Sequence, residues 1–368
     1  LRRVTAHPRF SGQTCYNSRV RYIGSKDRLL PFIQATLDAQ GIRDGLLLDP
    51  FCGTTAVARH ARAQGFSVVS GDVLEFSYVL QRAYLCSDGY PRFAGLALPG
   101  GTGPAPSAPL ATVLCYLNAL PPLAGFIQQQ YSPAGGAAPG RMYFSVANAG
   151  RIDAVRGQIA AWQAAGRLVG EEAYVLLAAL LAAVPGVSNI AGTYGAYLKT
   201  WDSRALAPLT LRLPLLTRSL LAHRAYHGDA AALVAAQPCA VLYLDPPYNG
   251  RPYASNYHLL ETIACGDTPA IYGKTGLRPY ARSPYNSAAT AAATLAALVA
   301  GARCRHLLLS YNSEGVIPEA TILAILAQRG VPVVARRPYR RFRSRVAAAR
   351  HPPPGVVSEN LYYVRCAA

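Results

Sequence analysis

Ala240-Val241-Leu242-Tyr243-Leu244-Asp245-Pro246-Pro247-Tyr248 decides how this chain is read. The apolar run suits a strand buried on both faces, and it stops at a carboxylate, two prolines and an aromatic ring. The prolines fix their own φ and keep the residues before them extended, so acceptors at the strand end are held in place. Tyr248 offers a flat face on which a planar heterocycle can stack. Together they form a rigid, water-poor notch. It suits an exocyclic amino group, which needs acceptors for its hydrogens and an unobstructed nitrogen. The plainer alternative is a strand that ends in an Asp-Pro turn.

Working outward, strands and helices alternate on both sides of this run. Arg28 to Gln40 reads as a helix, Gly45 to Asp49 as a buried strand, and Thr54 to Ala63 as the helix after it. Phe66 to Ser70 reads as a second strand ending at Gly71-Asp72, with a helix through about Cys86. That rhythm predicts a parallel sheet. It breaks at the Gly/Pro-rich stretches 99–106 and 133–136, around which helices are expected at 110–120, 151–165 and 171–184. The rhythm resumes near Tyr226 and continues through a strand at His306 to Ser310. Two last apolar runs, Val331 to Ala335 and Leu361 to Val364, are expected to pair antiparallel. The expected architecture is therefore an α/β catalytic domain, residues 1–89 and 223–368, split by a mostly helical insertion at 90–222.

At 368 residues, 51% of them hydrophobic, the chain can build a sizeable core. No apolar run reaches the roughly 18 residues of a membrane span, so no membrane partner is expected. The start shows no signal-peptide pattern, and with Leu1 first and one Met in all, a few native residues are expected to precede it. Lys+Arg 36 against Asp+Glu 18 gives a formal net charge of +18, which attracts a polyanion. An Arg-rich composition also raises the charge without any such partner. The 8 cysteines form no CxxC pair and no Cys/His cluster at metal spacing. They read as unpaired thiols in a reducing cytoplasm, with no metal expected.

Asp49-Pro50-Phe51-Cys52-Gly53-Thr54-Thr55 lies where the first strand turns into a helix. Gly53 permits a tight turn there and a close approach of backbone to ligand. Asp72 ends the next strand, where an acidic side chain can accept ribose hydroxyls. The loop does not match GxGxxG, which disfavours a dinucleotide. In Arg21-Tyr22-Ile23-Gly24-Ser25-Lys26, Ser25 is a candidate N-cap and Lys26 can meet a carboxylate. Gly228-Asp229 offers a further acceptor at the sheet edge, or an ordinary turn.

These strings resemble a family. RYIGSK, DPFCGTT, the Asp72 strand end, DPPYNGRPYASNYH and SYNSEG at Ser310 to Gly315 are similar to the bacterial S-adenosylmethionine-dependent DNA adenine-N6 methyltransferases. The order, RYIGSK first and the insertion ahead of DPPY, resembles the subgroup of DNA adenine methylases. One departure is that the loop reads FCGTT where many members carry FxGxG. The resemblance implies a Rossmann-like methyltransferase sheet, mostly parallel with an antiparallel last strand, and an inserted target-recognition domain. It implies that Tyr22, Lys26, Asp49, Phe51, Gly53, Thr54, Thr55, Asp72 and Asp229 hold S-adenosylmethionine, with Lys26 on the methionine carboxylate and Asp72 on the ribose. Asp245 and the Pro246 carbonyl would accept the hydrogens of adenine N6, with Pro247 stiffening the turn. Tyr248 would stack on a base flipped out of duplex DNA.

For DNA contacts, the segment Asn189 to Lys199, with Tyr194, Tyr197 and Lys199, resembles the part that approaches DNA in this family; a loop of packed tyrosines is the alternative. Arg336 to Arg345 contains Arg337, Arg340, Arg341 and Arg343 interleaved with aromatics, and is expected to be a hairpin loop gripping phosphates. Arg251, Tyr253 and Asn256 follow DPPY, where a loop could close over the flipped base. His258, nearby, is expected to pack or hydrogen-bond rather than act as a base. The partner expected is double-stranded DNA, with a cognate restriction endonuclease acting separately or with none, as for a solitary methylase. Two other readings stay open: an RNA methyltransferase of the same fold, and a catalytically silent DNA-binding protein with a decayed cofactor pocket.

Overall fold

The computed structural model describes residues 24–98, 108–135, 140–250, 252–340 and 356–367. The strands are β1 Leu46–Asp49, β2 Ser67–Asp72, β3 His223–His227, β4 Cys239–Leu244, β5 Cys304–Asn312, β6 Pro332–Arg340 and β7 Val356–Arg365. They form one sheet in the order β3-β2-β1-β4-β5-β7-β6. β3 to β5 run parallel, and β7 is antiparallel to both its neighbours, β5 and β6. This is the mostly parallel sheet that the alternating rhythm predicts. The last two apolar runs do pair antiparallel, with Val333 opposite Tyr363. Both strands extend past those runs, so Arg336 to Arg340 lie in β6 rather than in a hairpin loop.

The helices are α1 Leu30–Ala39, α2 Ala56–Ala63, α3 Glu75–Gln81, α4 Ala108–Ala119, α5 Phe126–Tyr131, α6 Val146–Ala164, α7 Glu172–Ala183, α8 Ser203–Leu206, α9 Ala230–Ala236, α10 Tyr253–Asn256, α11 His258–Cys265, α12 Ala291–Gly301 and α13 Glu319–Ala327. Strand side chains alternate between faces. Leu47, Val68, Val241, Tyr243, Leu308 and Leu361 therefore meet Ile33 and Leu37 of α1 and Val57, Ala58 and Ala61 of α2. Their neighbours Leu48, Val69, Leu242, Leu244, Leu307 and Leu309 meet α9, α12 and α13 on the other face. Burial on both faces explains why these strands read as continuous apolar runs.

The inserted helices lie between α3 and β3, and α5 among them has no counterpart in the sequence reading. Their core does not stop at residue 90 or 222. Phe76, Val79 and Leu80 of α3 and Leu259, Leu260 and Ile263 of α11 share one apolar cluster with Leu110, Leu117, Ile152, Ile159, Leu176 and Leu180. Buried asparagines fasten the extended return of the chain. Asn148 donates to the Ala205 and Ala207 carbonyls at 3.0 and 2.9 Å and accepts from Leu209 N at 2.9 Å.

Arg62 of α2 closes the insertion at its base. Its guanidinium donates to the carbonyls of Tyr84 and Ser87 where the chain leaves the sheet, at 3.1 and 3.2 Å. It also donates to Thr217 Oγ1 and O where the chain returns, both at 2.8 Å. Removing it strands buried carbonyls. Arg62→Met is expected to destabilise the protein by about 3 kcal/mol in urea unfolding. A change within about 0.5 kcal/mol, the range of ordinary surface substitutions, would show that the clamp is not needed.

Candidate active site

Strand order reverses between β1 and β4, so a crevice opens beyond their carboxyl ends, the usual ligand position in an open α/β sheet. One period-2 face supplies its polar residues. Leu47 is followed by Asp49, Val241 and Tyr243 by Asp245, and Leu308 by Ser310 and Asn312. Because β7 is antiparallel, its first residues reach the same end, and Glu359 lies opposite Asn312. Leu361 and Tyr363 keep Glu359 on the face shared with α1 and α2.

Lys26 occupies the centre of this end. It lies in a 3-10 turn, Lys26–Arg28, capped by Ser25, and its side chain is 5% exposed. Its ammonium is 3.1 Å from Asp245 Oδ1 and 2.5 Å from Glu359 Oε1. Glu359 also accepts from Ser310 Oγ at 2.9 Å and from Asn312 Nδ2 at 3.4 Å. Burial works to lower the Lys26 pKa, but the facing carboxylates of Asp245 and Glu359 outweigh it and hold the amine protonated. Burial pushes Asp245 up to about 6, with Lys26 opposing the rise and Glu359 adding to it. Lys26 thus stands at the crevice already paired with two protein carboxylates. Glu359 was missed, because one acid at the start of an apolar run carries no signal until strand order is known.

Among the described residues, Asp245 Oδ2 and the Pro246 carbonyl have no hydrogen-bond partner in the protein. Tyr248 is edge-on to Tyr311, with ring centroids 6.3 Å apart, and the Lys26 ammonium lies 5.9 Å from the Tyr248 ring centre. The Tyr248 carbonyl accepts from Val316 N at 2.9 Å, which ties this turn to the SYNSEG loop. Gly24, at φ +79°, leaves room for tyrosine hydroxyls: a Cβ there would meet Tyr253 Oη at 3.0 Å and Tyr248 Oη at 3.8 Å.

The loop after β1 is held from behind. Gly53 N donates to Asp72 Oδ2 at 2.9 Å, and Leu74 N to Asp72 Oδ1 at 3.0 Å. Each oxygen keeps lone-pair capacity for a hydroxyl. Ser77 Oγ donates to the Gly53 carbonyl at 2.6 Å, in a buried chain that continues through Gln81 to Ser70. Thr55 sits at φ 67°, the left-handed region that costs an L-residue roughly 1–2 kcal/mol. This explains why a glycine suits that position in FxGxG. Thr54 and Phe51 are half-buried, and Phe51 is edge-on to Tyr285 at 5.3 Å.

Asp49 is held at an electrostatic cost. It is 2% exposed, its Oδ1 lacks any partner, and burial with repulsion from Asp245 pushes it up to about 8. A crevice holding Asp49, Asp72, Asp245 and Glu359 beside one lysine favours a cationic ligand. The residues present therefore fit a sulfonium nucleoside.

Other expected residues are placed differently. Asp229 is exposed and caps α9, its Oδ1 accepting from Ala231 N and Ala232 N at 2.9 and 3.0 Å. Those are the contacts of a helix N-cap. Tyr194 is 2% exposed, with its hydroxyl 3.0 Å from Ser188 Oγ, so its ring offers nothing to DNA. Tyr197 is half-buried against Tyr143, and Lys199 is exposed. His258 is fully buried between Tyr131 and Tyr143, and burial lowers it to about 4, so it packs as a neutral ring. Tyr253 and Asn256 bound α10, and Arg337 is exposed on β6. Tyr22, Arg251, Arg341, Arg343 and the side chain of Arg340 lie outside the described residues. Among those described, no cluster of His, Cys, Asp or Glu is arranged to hold a metal, and no helix is long and apolar enough to cross a membrane.

Comparison with known proteins agrees with this geometry. The chain belongs to the D12 class N6 adenine-specific DNA methyltransferases, whose family model matches residues 22–323. It is 41% identical over 336 residues to the type II methyltransferase M.FokI of Planomicrobium okeanokoites, covering 89% of this chain and 50% of that protein. It is 35% identical to the modification methylase StsI of Streptococcus sanguinis, covering 94% of this chain and 52% of that protein. The chain thus spans about half the length of these two relatives. To the type II methyltransferase M.NlaIII of Neisseria lactamica it is 35% identical, covering 88% of this chain and 93% of that protein. The family implies S-adenosylmethionine as methyl donor.

If Asp49, pushed up to about 8, ionises to meet the sulfonium, affinity for S-adenosylmethionine is expected to rise by up to about 50-fold between pH 6 and pH 8. S-adenosylhomocysteine, whose sulfur is neutral, is expected to change much less. Calorimetric titration of both ligands at the two pH values checks this. Parallel changes for the two ligands would remove Asp49 from the sulfonium's surroundings.

Proposed function

We propose that this chain is a site-specific DNA adenine-N6 methyltransferase that acts on an adenine flipped out of duplex DNA. The carrying observation is Asp245 at the switch-point end of β4. Lys26 holds one of its oxygens, no described residue engages the other, and the Tyr248 ring lies beside it. A carboxylate fixed in this way accepts one N6 hydrogen and the Pro246 carbonyl the other, which aims the nitrogen lone pair out of the base plane. Tyr248 would stack on the base.

Asp49, Phe51, Gly53, Thr54, Thr55 and Asp72, with Tyr22 ahead of them, would hold S-adenosylmethionine. When bound, it supplies an electrophilic methyl group: the N6–carbon bond forms as the methyl–sulfur bond breaks, its electron pair staying with sulfur. The chain's own work is positioning and charge stabilisation. Asp245 steadies the positive charge that arrives on N6 and is placed to take the proton that N6 then loses. Its position near 6 suits both tasks at neutral pH.

The formal charge of +18 supports a duplex DNA substrate, with exposed Lys199 and Arg337 among the phosphate contacts. Relatives bearing the names type II methyltransferase and modification methylase support a modification role.

Labelled S-adenosylmethionine incubated with unmethylated duplex DNA is expected to place label in N6-methyladenine. Asp245→Asn is expected to lose at least about 100-fold in kcat while keeping cofactor affinity. Label found only in RNA, or full activity in the variant, would overturn this reading.

A further inference from the structure

We infer that Glu359 is a positioning residue for methyl transfer, setting both the placement and the charge of Asp245 through Lys26. The inference rests on the adenine-N6 reading and extends it to a residue at the far end of the chain. Lys26 and Glu359 are 333 positions apart in sequence, yet the ammonium contacts Glu359 Oε1 at 2.5 Å, closer than Asp245 Oδ1 at 3.1 Å. Glu359 is itself buried, 5% exposed, and is aligned by Ser310 and Asn312 from β5.

Two consequences follow from that geometry. First, an ammonium anchored by Glu359 cannot swing fully onto Asp245, so Asp245 keeps one oxygen for the base. Second, the triad carries +1 from Lys26, −1 from Asp245 and −1 from Glu359, a formal net of −1. A Lys26–Asp245 pair alone would be neutral. During transfer the positive charge passes from sulfur to N6, and in a buried site a net negative triad stabilises it more than a neutral pair would. The N6 proton then leaves to Asp245 Oδ2, restoring a neutral methylated amine.

The groups facing Asp245 come from several elements: Lys26 from the first turn, Glu359 from β7, Tyr243 from β4, Asp49 from β1, and Tyr248 and Tyr253 from the turn and helix that follow. Of these, Lys26 lowers the Asp245 pKa and Glu359 raises it. Replacing them should therefore move Asp245 in opposite directions.

The test compares wild type with Glu359→Gln, an isostere that keeps the hydrogen bonds but drops the charge. Carbon-13 NMR follows the Asp245 carboxyl, and kinetics follow methyl transfer. In Glu359→Gln the Asp245 titration and the acid limb of kcat/KM are both expected to fall by about one pH unit. The kcat is expected to fall about 100-fold, with KM for DNA and cofactor affinity changed less than about threefold. Lys26→Met should move the same titration upward. An unmoved titration in a folded Glu359→Gln protein overturns the inference, as does an unchanged kcat. If Glu359→Gln does not fold, Ser310→Ala, which removes a hydrogen bond to Glu359, is expected to lower kcat in the same sense, and an unchanged kcat there overturns the inference. Failure of the underlying reading is separate: wild type would then not methylate adenine, while the NMR titration would still report on the triad.

Discussion

A buried ammonium shared by two carboxylates organises the catalytic end of this molecule. Lys26 brings the first turn of the described chain against the ends of β4 and β7. Removing an ammonium and two carboxylates from water costs several kcal/mol per ion, so such a triad is a poor way to gain stability. Its value lies in orientation. The apolar packing of α1 and α2 against the sheet supplies the stability that lets so costly a cluster persist. Asp49, unpaired at one oxygen and pushed up to about 8, adds to the strain that a cationic ligand would relieve.

Much of this was legible in the sequence because the relevant pieces are local strings. A strand stopping at Asp245 and another at Asp49 each announce a carboxylate at a strand end, and parallel pairing then brings the two ends together. Glu359 was not legible. Its place depends on β7 entering the sheet between β5 and β6, a long-range event that no short window of residues records. The carboxylate partners of Lys26 were hidden for the same reason. Tyr194 takes the packed arrangement that its sequence left open. Tyrosines in a loop look exposed, but here the backbone carbonyl of Tyr194 accepts from both Tyr143 and His258 and anchors a buried ring cluster.

The insertion shows a related limit. Its helices could be read from apolar periodicity, but not their partner. They bury themselves against α3 and α11, which flank the crevice, rather than only against one another. Glu261 of α11 accepts from the backbone of Glu75 and Phe76 at the start of α3, joining the two helices at their polar ends. Movement of the inserted helices would therefore be felt by the loop that carries Gly53, through Ser77 on α3.

The separation between Lys26 and Glu359 has a consequence for the time at which this protein becomes competent. A ribosome making the chain at about 5–20 residues per second would release Lys26, Asp49, Asp72 and Asp245 well before β7 emerges. Through that interval β5 lacks its neighbour, and the lysine has one carboxylate instead of two. The nascent chain could form β1 to β5 and hold most of the crevice, yet the final contact would wait for β7. Emergence of β7 would then act as the switch that turns a folded sheet into a finished site.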